Sequence, residues 1–452
     1  LVPDSAKKFL KETIFYIPGE LQKKDDLEKK IRIKNDMYND AKSNSQDLYQ
    51  SLIDGLLRYK IKLSESKTII SKNDEKYKLN LFKVPFLEYY VFDDKPIAYL
   101  EVFNKNLITA SGDGYFFKSS VDNLRPIISN FEKIPTNIHK YNEYTNIKSP
   151  GWLSIKDIKV NDNIIYVSIT EEVKKDCYNL SILKSDLNEL KEFKFEKFYN
   201  MKQCTSSNAT EFLGWQSGGR IEILDNHILL SIGDYRNRSL PQNADSLFGK
   251  IIAIDINSKN PLVISKGHRN IQGLVIANDN IILSSEHGPA GGDEINVHRN
   301  ILDIKEIENY GWPISSYGRH YQKAINKNID AGTYENLMEI APLKKSHKKF
   351  GFIEPIRYFA PSSVAASEIE KSNNVFDLNY SNDFYFGVLR NNFRYGGRLY
   401  HFKFNRNFDQ ILKEDEIILN ERIRDIIIPN ESKNMYLFLE SIPAIGIIQK
   451  HQ

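Results

Sequence analysis

Arginine, asparagine, histidine and carboxylate side chains cluster around glycine-rich turns in one region of this chain. Residues 267–274 read GHRNIQGL, residues 286–296 read EHGPAGGDEIN, and residues 309–313 read NYGWP. Glycine turns let backbone carbonyls and amides approach a ligand closely, and the charged groups beside them can hold an anion or a hard cation. The region is therefore a predicted ligand site, and its chemistry depends on the elements that position it.

The composition is that of a folded globular protein, with 41% hydrophobic and 12% aromatic residues in a chain of 452. Its 62 basic and 59 acidic residues nearly cancel, and no basic stripe is interleaved with aromatics, which excludes nucleic acid as an expected partner. No apolar run reaches the ~20 residues that span a bilayer. Because the first residue is Leu1 rather than Met, we expect a processed or truncated chain, with a signal peptide or membrane anchor upstream.

The two cysteines, Cys177 and Cys204, lie near strand-like segments that would be neighbours in a meander. A disulfide in an oxidising compartment and two buried free thiols both remain open interpretations. Their spacing does not indicate a zinc site.

Residues 1–85 differ in character from the rest and predict a charged, α-helical extension. Residues 21–40 are dense in Lys, Asp and Glu, which is typical of an exposed helix. After the N-cap candidate Ser45, one apolar stripe follows at helical spacing, formed by Leu48, Leu52, Ile53, Leu56 and Leu57. We expect this stripe to dock on the parent domain, which would span residues 86–452.

A turn–strand unit then repeats six times. Its copies are residues 106–111, 163–168, 226–231, 280–285, 382–387 and 434–439. Their ends are separated by 57, 63, 54, 102 and 52 residues, which suits a unit of four strands with loops. Chance similarity among β-strands is the alternative, but six near-regular copies predict an all-β, six-bladed β-propeller with an insertion at about residues 290–354.

These motifs resemble a known family, the soluble glucose, aldose sugar and sorbosone dehydrogenases. The resemblance also includes residues 218–220 (GGR), 231–234 (SIGD), 247–250 (LFGK) and 421–425 (ERIRD), and it covers about residues 90–450. It implies a six-bladed propeller that uses pyrroloquinoline quinone (PQQ) and calcium.

Three arginines are candidate ligands of the cofactor. Arg422 and Arg424 alternate on a predicted strand and so point to one face, where two guanidiniums need an anion between them. The resemblance implies that they bind PQQ, a tricarboxylate; surface pairing with Glu421 or Asp425 is the alternative. Arg390 falls where the family places a cofactor-binding lysine.

The resemblance assigns further roles around the glycine turns. It implies that the carbonyls of Gly288 and Pro289 bind calcium, whereas without it an ordinary turn would be the better interpretation. Arg269 and Asn270 match the pair beside the quinone, where the arginine aids hydride transfer. Three more residues match positions that line or contact the cofactor, namely His287, Asp293 and Ser363.

The family's general base, a histidine, is missing. Residues 214–220 read GWQSGGR, which places Gln216 at the base position, or Trp215 if the alignment shifts by one residue. Asp234 matches the aspartate that orients the histidine and is retained. Loss of a general base costs ~10²–10⁴ in rate; His287 or Asp234 acting directly are the candidate substitutes.

The sequence thus leaves three hypotheses open. The first is a PQQ- and calcium-dependent sugar dehydrogenase with altered or weakened catalysis. The second is an inactive propeller that binds a sugar, a glycan or a protein, and the third is a face that holds another polyanion. In each case we expect a periplasmic or extracellular protein, anchored to the membrane if the missing segment upstream of Leu1 carries an anchor.

Overall fold

The computed structural model describes residues 58–59, 61–84, 90–92, 95–128, 130–141, 154–208, 211–321, 338–377, 382–390 and 397–451. The predicted helices of the extension lie outside these residues, so the helical extension stays a prediction. Within the described ranges, no helical segment has the length and hydrophobicity of a membrane span. One-turn 3-10 helices occur at Ile138–Tyr141, Asn188–Leu190, Lys348–Phe350 and Val375–Asp377.

Six antiparallel sheets form the blades of a β-propeller, as predicted. Blade 1 contains Ala98–Phe103, Asn106–Ser111, Phe116–Ser120 and Phe131–Ile134. Blade 2 contains Ile155–Asn161, Ile164–Lys174, Cys177–Asp186 and Glu196–Asn200, with Thr205–Ser206 beside the third strand. Blade 3 contains Gly218–Leu224, His227–Ile232, Lys250–Asp255 and Pro261–Lys266.

The remaining three blades follow the same plan. Blade 4 contains Ile271–Asn278, Ile281–Glu286, Asp293–Arg299 and Arg357–Phe359. Blade 5 contains Ala366–Lys371, Asp383–Val388, Arg398–Phe404 and Ile411–Ile418. Blade 6 contains Ile423–Ile427, Met435–Leu439, Ala444–Lys450, Lys76–Lys83 and Glu65–Ile70. The described ranges also contain the short strands Arg58–Tyr59, Tyr90–Phe92, Lys95–Pro96 and Glu308–Asn309, and a helical turn at 338–340.

All six copies of the predicted turn–strand unit are second strands of blades. The recurring asparagine ends the turn from the first strand, and the residue before it has a positive φ in blades 2 and 3 (Asp162, 52°; Asp225, 50°). Asp and Asn tolerate this left-handed conformation, which two-residue hairpins require. The repeat is therefore confirmed, and its cause is the turn.

Strands are buried on both faces because adjacent blades stack. Between blades 2 and 3, Tyr166 and Ile182 pack in one core cluster with Ile221 and Ile252. Such two-sided burial explains the uninterrupted apolar runs of the second strands, for example residues 228–230.

Blade 6 closes the ring with strands from the other end of the chain. Lys76–Lys83 pairs with Ala444–Lys450, with Leu79 opposite Ile448, and Glu65–Ile70 pairs with Lys76–Lys83. These strands lie within the predicted extension of residues 1–85, so the propeller begins before residue 86. Composition did not reveal this because the outer strand is largely exposed and polar.

The predicted insertion lies in blade 4 but has different bounds. Asp293–Arg299 is a regular strand paired with Ile281–Glu286, so the long connection runs over residues 300–356. Part of it, Glu308–Asn309, pairs in parallel with the outer strand of blade 3. The insertion is thereby tied to the blade before its own.

Cys177 and Cys204 form a disulfide, which settles the alternative left open by the sequence. Cys177 begins the third strand of blade 2, and Cys204 precedes the short strand that pairs with it.

Candidate active site

Four segments of blades 3 and 4 meet at one place. Residues 214–217 lead into the first strand of blade 3, and Gly233 and Asp234 follow its second strand. Residues 267–270 lead into the first strand of blade 4, and residues 287–292 join its second and third strands. Gly233 is required, because a Cβ there would lie 2.1 Å from the carbonyl oxygen of Gln216.

Gln216 is buried between a cation and an anion. Its Nε2 donates to Asp234 Oδ1 at 3.0 Å, and its Oε1 accepts from Arg269 Nη2 at 2.6 Å. Both ends of the amide are thus engaged, and its orientation is fixed by opposite charges.

Asp234 is fully buried and accepts two further hydrogen bonds. Trp312 Nε1 donates to Oδ2 at 2.8 Å, and the backbone N–H of Arg236 donates to Oδ1 at 2.8 Å. Burial raises the pKa of Asp234, and the Arg269 charge opposes this increase. The carboxylate that would orient a histidine is therefore present, but its oxygens are already occupied.

The guanidinium of Arg269 donates only to neutral acceptors among the described residues. Besides Gln216, its guanidinium donates to the carbonyl oxygen of His287 at 3.1 Å and lies 3.4 Å from the hydroxyl of Tyr321. The guanidinium carbon also lies 5.5 Å from the ring centroid of Trp312. Asn270 supports the turn, since its Oδ1 accepts from the backbone N–H of Gly218 at 3.1 Å.

His287 has a buried Nε2 without a hydrogen-bond partner among the described residues. Burial, together with the charges of Arg269 and Arg424, lowers the pKa of this imidazole to about 3. The ring is consequently neutral near pH 7 and is a weak base. An orphaned polar atom between two arginines indicates a place for a ligand.

Asp293 stabilises the turn at Gly288. Its Oδ1 accepts from the backbone N–H of Gly288 at 2.8 Å. Its Oδ2 accepts from the Ser363 hydroxyl at 2.6 Å and from the backbone N–H groups of Val364 and Ala365 at 2.6 and 2.8 Å. Asp293 and Ser363 thus lock two loops together, and both side chains are engaged with each other.

The carbonyl oxygens of Gly288 and Pro289 accept no hydrogen bond from the described residues. A Cβ on Gly288 would lie 2.2 Å from the carbonyl oxygen of Gly292, so only glycine fits the turn. Among the described residues there is no group of three or more His, Cys, Asp or Glu side chains that could hold a metal. A cation here would have to use backbone oxygens.

Arg422 and Arg424 share one internal carboxylate. Arg422 Nη2 lies 2.7 Å from Glu440 Oε2, and Arg424 Nε donates to Oε1 at 2.5 Å. Glu440, rather than the suggested Glu421 or Asp425, is thus the anion between them. Arg390 donates to the carbonyl oxygen of Ser363 at 3.2 Å.

Arg220, the last residue of the GGR motif, points elsewhere. It lies in the central channel, where it forms ion pairs with Asp157, Glu368 and Asp425. Burial and neighbouring Asp425 raise the pKa of Asp157 to about 7, against the opposing effect of Arg220. Arg220 therefore holds several blades together.

The sequence analysis missed three contributors to the site. Glu440 lies on a neighbouring strand end, Trp312 reaches in from the long connection, and Tyr321 follows it along the chain. For Trp312 a signal existed, because it belongs to the NYGWP segment of the predicted ligand site, although its contact with Asp234 was not anticipated. For Glu440 the only signal was an acidic residue ending a wholly apolar strand.

Comparison with known proteins identifies the family of this chain. Residues 127–441 match the family described as Glucose / Sorbosone dehydrogenase. An uncharacterised protein of Synechocystis is 27% identical over 261 residues, or 52% of this chain and 56% of that protein. An aldose sugar dehydrogenase of Escherichia coli is 29% identical over 155 residues, or 31% of this chain and 38% of that enzyme. The chain therefore spans only about half of the length of these relatives, or less.

Solved structures share the fold. The soluble aldose sugar dehydrogenase of Escherichia coli, in its apo form, has a TM-score of 0.58 and 17% identity over 86% of this chain and 99% of that one. The PQQ-bound aldose sugar dehydrogenase of Streptomyces coelicolor has a TM-score of 0.54 and 15% identity over 87% of this chain and 98% of that one.

Proposed function

We propose that this chain, which belongs to the glucose/sorbosone dehydrogenase family, is a quinoprotein that oxidises a sugar hydroxyl with PQQ and calcium, with weakened catalysis. When bound, PQQ supplies the quinone that accepts a hydride. The observation that carries the proposal is the surplus of guanidinium groups around His287.

The charges of the site suit a tricarboxylate. Arg422 and Arg424 have one carboxylate, Glu440, between them, and the guanidinium of Arg269 has only neutral acceptors among the described residues. These guanidiniums would hold anionic groups of the cofactor, since charge-assisted pairs with carboxylates are strong. His287, with its unpartnered Nε2, would line the same space. Asn270, Asp293, Ser363 and Arg390 would shape the site around them.

Calcium would be bound by the carbonyls of Gly288 and Pro289. Calcium takes six to eight oxygen ligands, and two carbonyls suffice only if the cofactor and water supply the rest. The free carbonyl oxygens and the turn fixed by Asp293 support this assignment.

Proton removal is the weak step. An amide such as Gln216 cannot accept a proton near neutral pH. The oxygens of Asp234 already accept from Gln216, Trp312 and the backbone, and the low pKa of His287 makes it a poor base. Gln216 and Arg269 would therefore orient the sugar, and turnover would be slowed by ~10²–10⁴ relative to an enzyme with a base.

A binding protein is the second candidate, and the locked amide of Gln216 favours it. A side chain held by both Arg269 and Asp234 presents a fixed, neutral surface, which suits recognition of a sugar, a glycan or a protein. The disulfide supports an extracytoplasmic location for either candidate, because disulfides persist in oxidising compartments.

The test is a titration of PQQ and calcium into the purified protein, followed by dye reduction with a panel of aldoses. We expect saturable binding, slow sugar-dependent turnover, and an increase of ~10²–10⁴ in turnover for Gln216→His. Gln410→His, at an exposed position, is the matched control and should change nothing. Binding without turnover in wild type and Gln216→His would favour the binding protein, and absence of PQQ binding would reject the quinoprotein.

A further inference from the structure

The first strands of five blades, blades 2 to 6, carry a one-residue bulge near their start. In blade 4 the extra residue is Gln272, and in blade 6 it is Arg424. In blade 2 it is Lys156, which lies between the paired residues Ile155 and Asp157. A bulge redirects the side chain of its extra residue, and bulges are frequent next to active sites.

Two of these bulge residues lie at the candidate active site: Arg424 is part of it, and Gln272 contacts its residues. Arg424 Nη1 donates to Gln272 Oε1 at 3.2 Å, and Gln272 Nε2 donates to Asn270 Oδ1 at 3.1 Å. Lys156 holds the corresponding position in blade 2. Its stem lies against Gly219, where a Cβ would be only 2.3 Å from the Lys156 Cβ, so the glycine leaves room for this lysine.

The side chain of Lys156 is largely buried, and its ammonium group has no partner among the described residues. The residue is 8% exposed, and no described residue forms an ion pair or a hydrogen bond with its ammonium group. The other buried lysine of the described ranges, Lys250, is 1% exposed and donates to three carbonyl oxygens at 2.9–3.2 Å. Buried charges are normally paired. The ammonium group of Lys250 is satisfied by three carbonyl oxygens, whereas that of Lys156 has no counter-charge among the described residues.

The charged groups around Lys156 do not supply that anion. Asp157 beside it is directed into the central channel, where it pairs with Arg220. Burial, together with the positive charge of Arg424, lowers the pKa of Lys156 to about 7. Two cations thus lie near each other, and one of them is easily deprotonated.

We propose that Lys156 is an anion-binding residue of this site, whose ammonium group pairs with a carboxylate of bound PQQ beside Arg424 and gains its proton from solvent as the carboxylate arrives. The inference rests on the proposed function, because PQQ is the anion. It adds a cation from blade 2 to those of blades 4 and 6.

Calorimetric titration of PQQ with calcium, in buffers of different ionisation enthalpy at pH 8, tests the pairing. Wild type should take up about one proton per PQQ, and Lys156→Met should lose that uptake and bind about tenfold or more weakly. Lys250→Met is the control and should retain both the affinity and the uptake.

Stability of the protein without ligand is the second measurement. Lys156→Met removes an unpaired buried cation and should raise the melting temperature, whereas Lys250→Met leaves three carbonyls unpaired and should lower it. Between pH ~7 and ~10 the unfolded state holds a proton on Lys156 that the folded state lacks. Stability therefore rises with pH, and the unfolding constant of wild type should fall about tenfold per pH unit relative to Lys156→Met.

The outcomes separate the two proposals. If wild type binds PQQ and Lys156→Met binds it equally well with the same proton uptake, the role of Lys156 is rejected while the quinoprotein stands. If wild type does not bind PQQ, both are rejected. A melting temperature of Lys156→Met that falls as far as that of Lys250→Met would also contradict the inference, since it would make Lys156 a structural residue.

Discussion

Glu440 forms ion pairs with both Arg422 and Arg424 in the protein without a ligand. It is fully buried and accepts from Arg422 and Arg424 through different oxygens. Without it, the buried guanidinium of Arg424 and the half-buried one of Arg422 would repel each other, so this carboxylate keeps them in place while leaving a net positive charge. At the residue scale, the pair of arginines therefore has one more positive charge than its carboxylate neutralises.

Replacement of Glu440 by glutamine is expected to lower the free energy of unfolding by about 3–5 kcal/mol, because it leaves buried guanidiniums without a counter-charge. Glu414→Gln, which breaks the partly exposed pair with Arg357, is the matched control and should cost at most about 1 kcal/mol. Urea denaturation measures both variants. Equal stability of the two would show that Glu440 is not needed to hold the arginines.

The sequence anticipated part of this arrangement. Alternation along one strand placed Arg422 and Arg424 on the same face, and motif order brought Gln216, Asp234 and Arg269 to one site. The contacts that Glu440, Trp312 and Tyr321 make with these residues were not predicted. They come from other strands and from the long connection, and contacts between such distant segments leave no periodic pattern in the sequence.

Blade 2 has a covalent link that the other blades lack within the described residues. The disulfide joins the start of its third strand to the loop beyond its fourth, across 27 residues. Closing such a loop restricts the unfolded chain more than the folded one. At the element scale it fixes the outer edge of the blade whose inner strand carries Lys156.

Cys177→Ser with Cys204→Ser is therefore expected to lower the free energy of unfolding by about 3–4 kcal/mol while the β-sheet content stays unchanged. Thermal melting followed by circular dichroism measures the loss. Wild type treated with a reductant should match the double variant, and a double variant as stable as oxidised wild type would contradict the prediction.

The propeller is closed by strands from both ends of the chain. Phe82 of the penultimate strand of blade 6 is buried in one core cluster with Leu100 and Leu107 of blade 1 and with Phe438 and Ile445 of blade 6. Since no covalent bond closes the ring, these contacts keep blades 1 and 6 together. At the scale of the molecule, the geometry of the site depends on this closure.

Truncation to residues 85–452 removes these closing strands and is expected to abolish cooperative unfolding, because each lost core side chain contributes about 1.5–3 kcal/mol. Truncation to residues 58–452 keeps every closing strand and serves as the control. Calorimetry compares the two transitions. A cooperative transition in the shorter chain would mean that closure is dispensable.

The sequence by itself determined the fold, because turn chemistry and strand burial are local and recur in every blade. Only the tertiary structure decided how the ring closes, which carboxylate joins Arg422 to Arg424, and how Gln216 is held. Only the tertiary structure shows that the ammonium group of Lys156 has no partner among the described residues. These features depend on which distant residues the stacked blades bring within hydrogen-bond range, and that distance is fixed by the curvature of the whole ring.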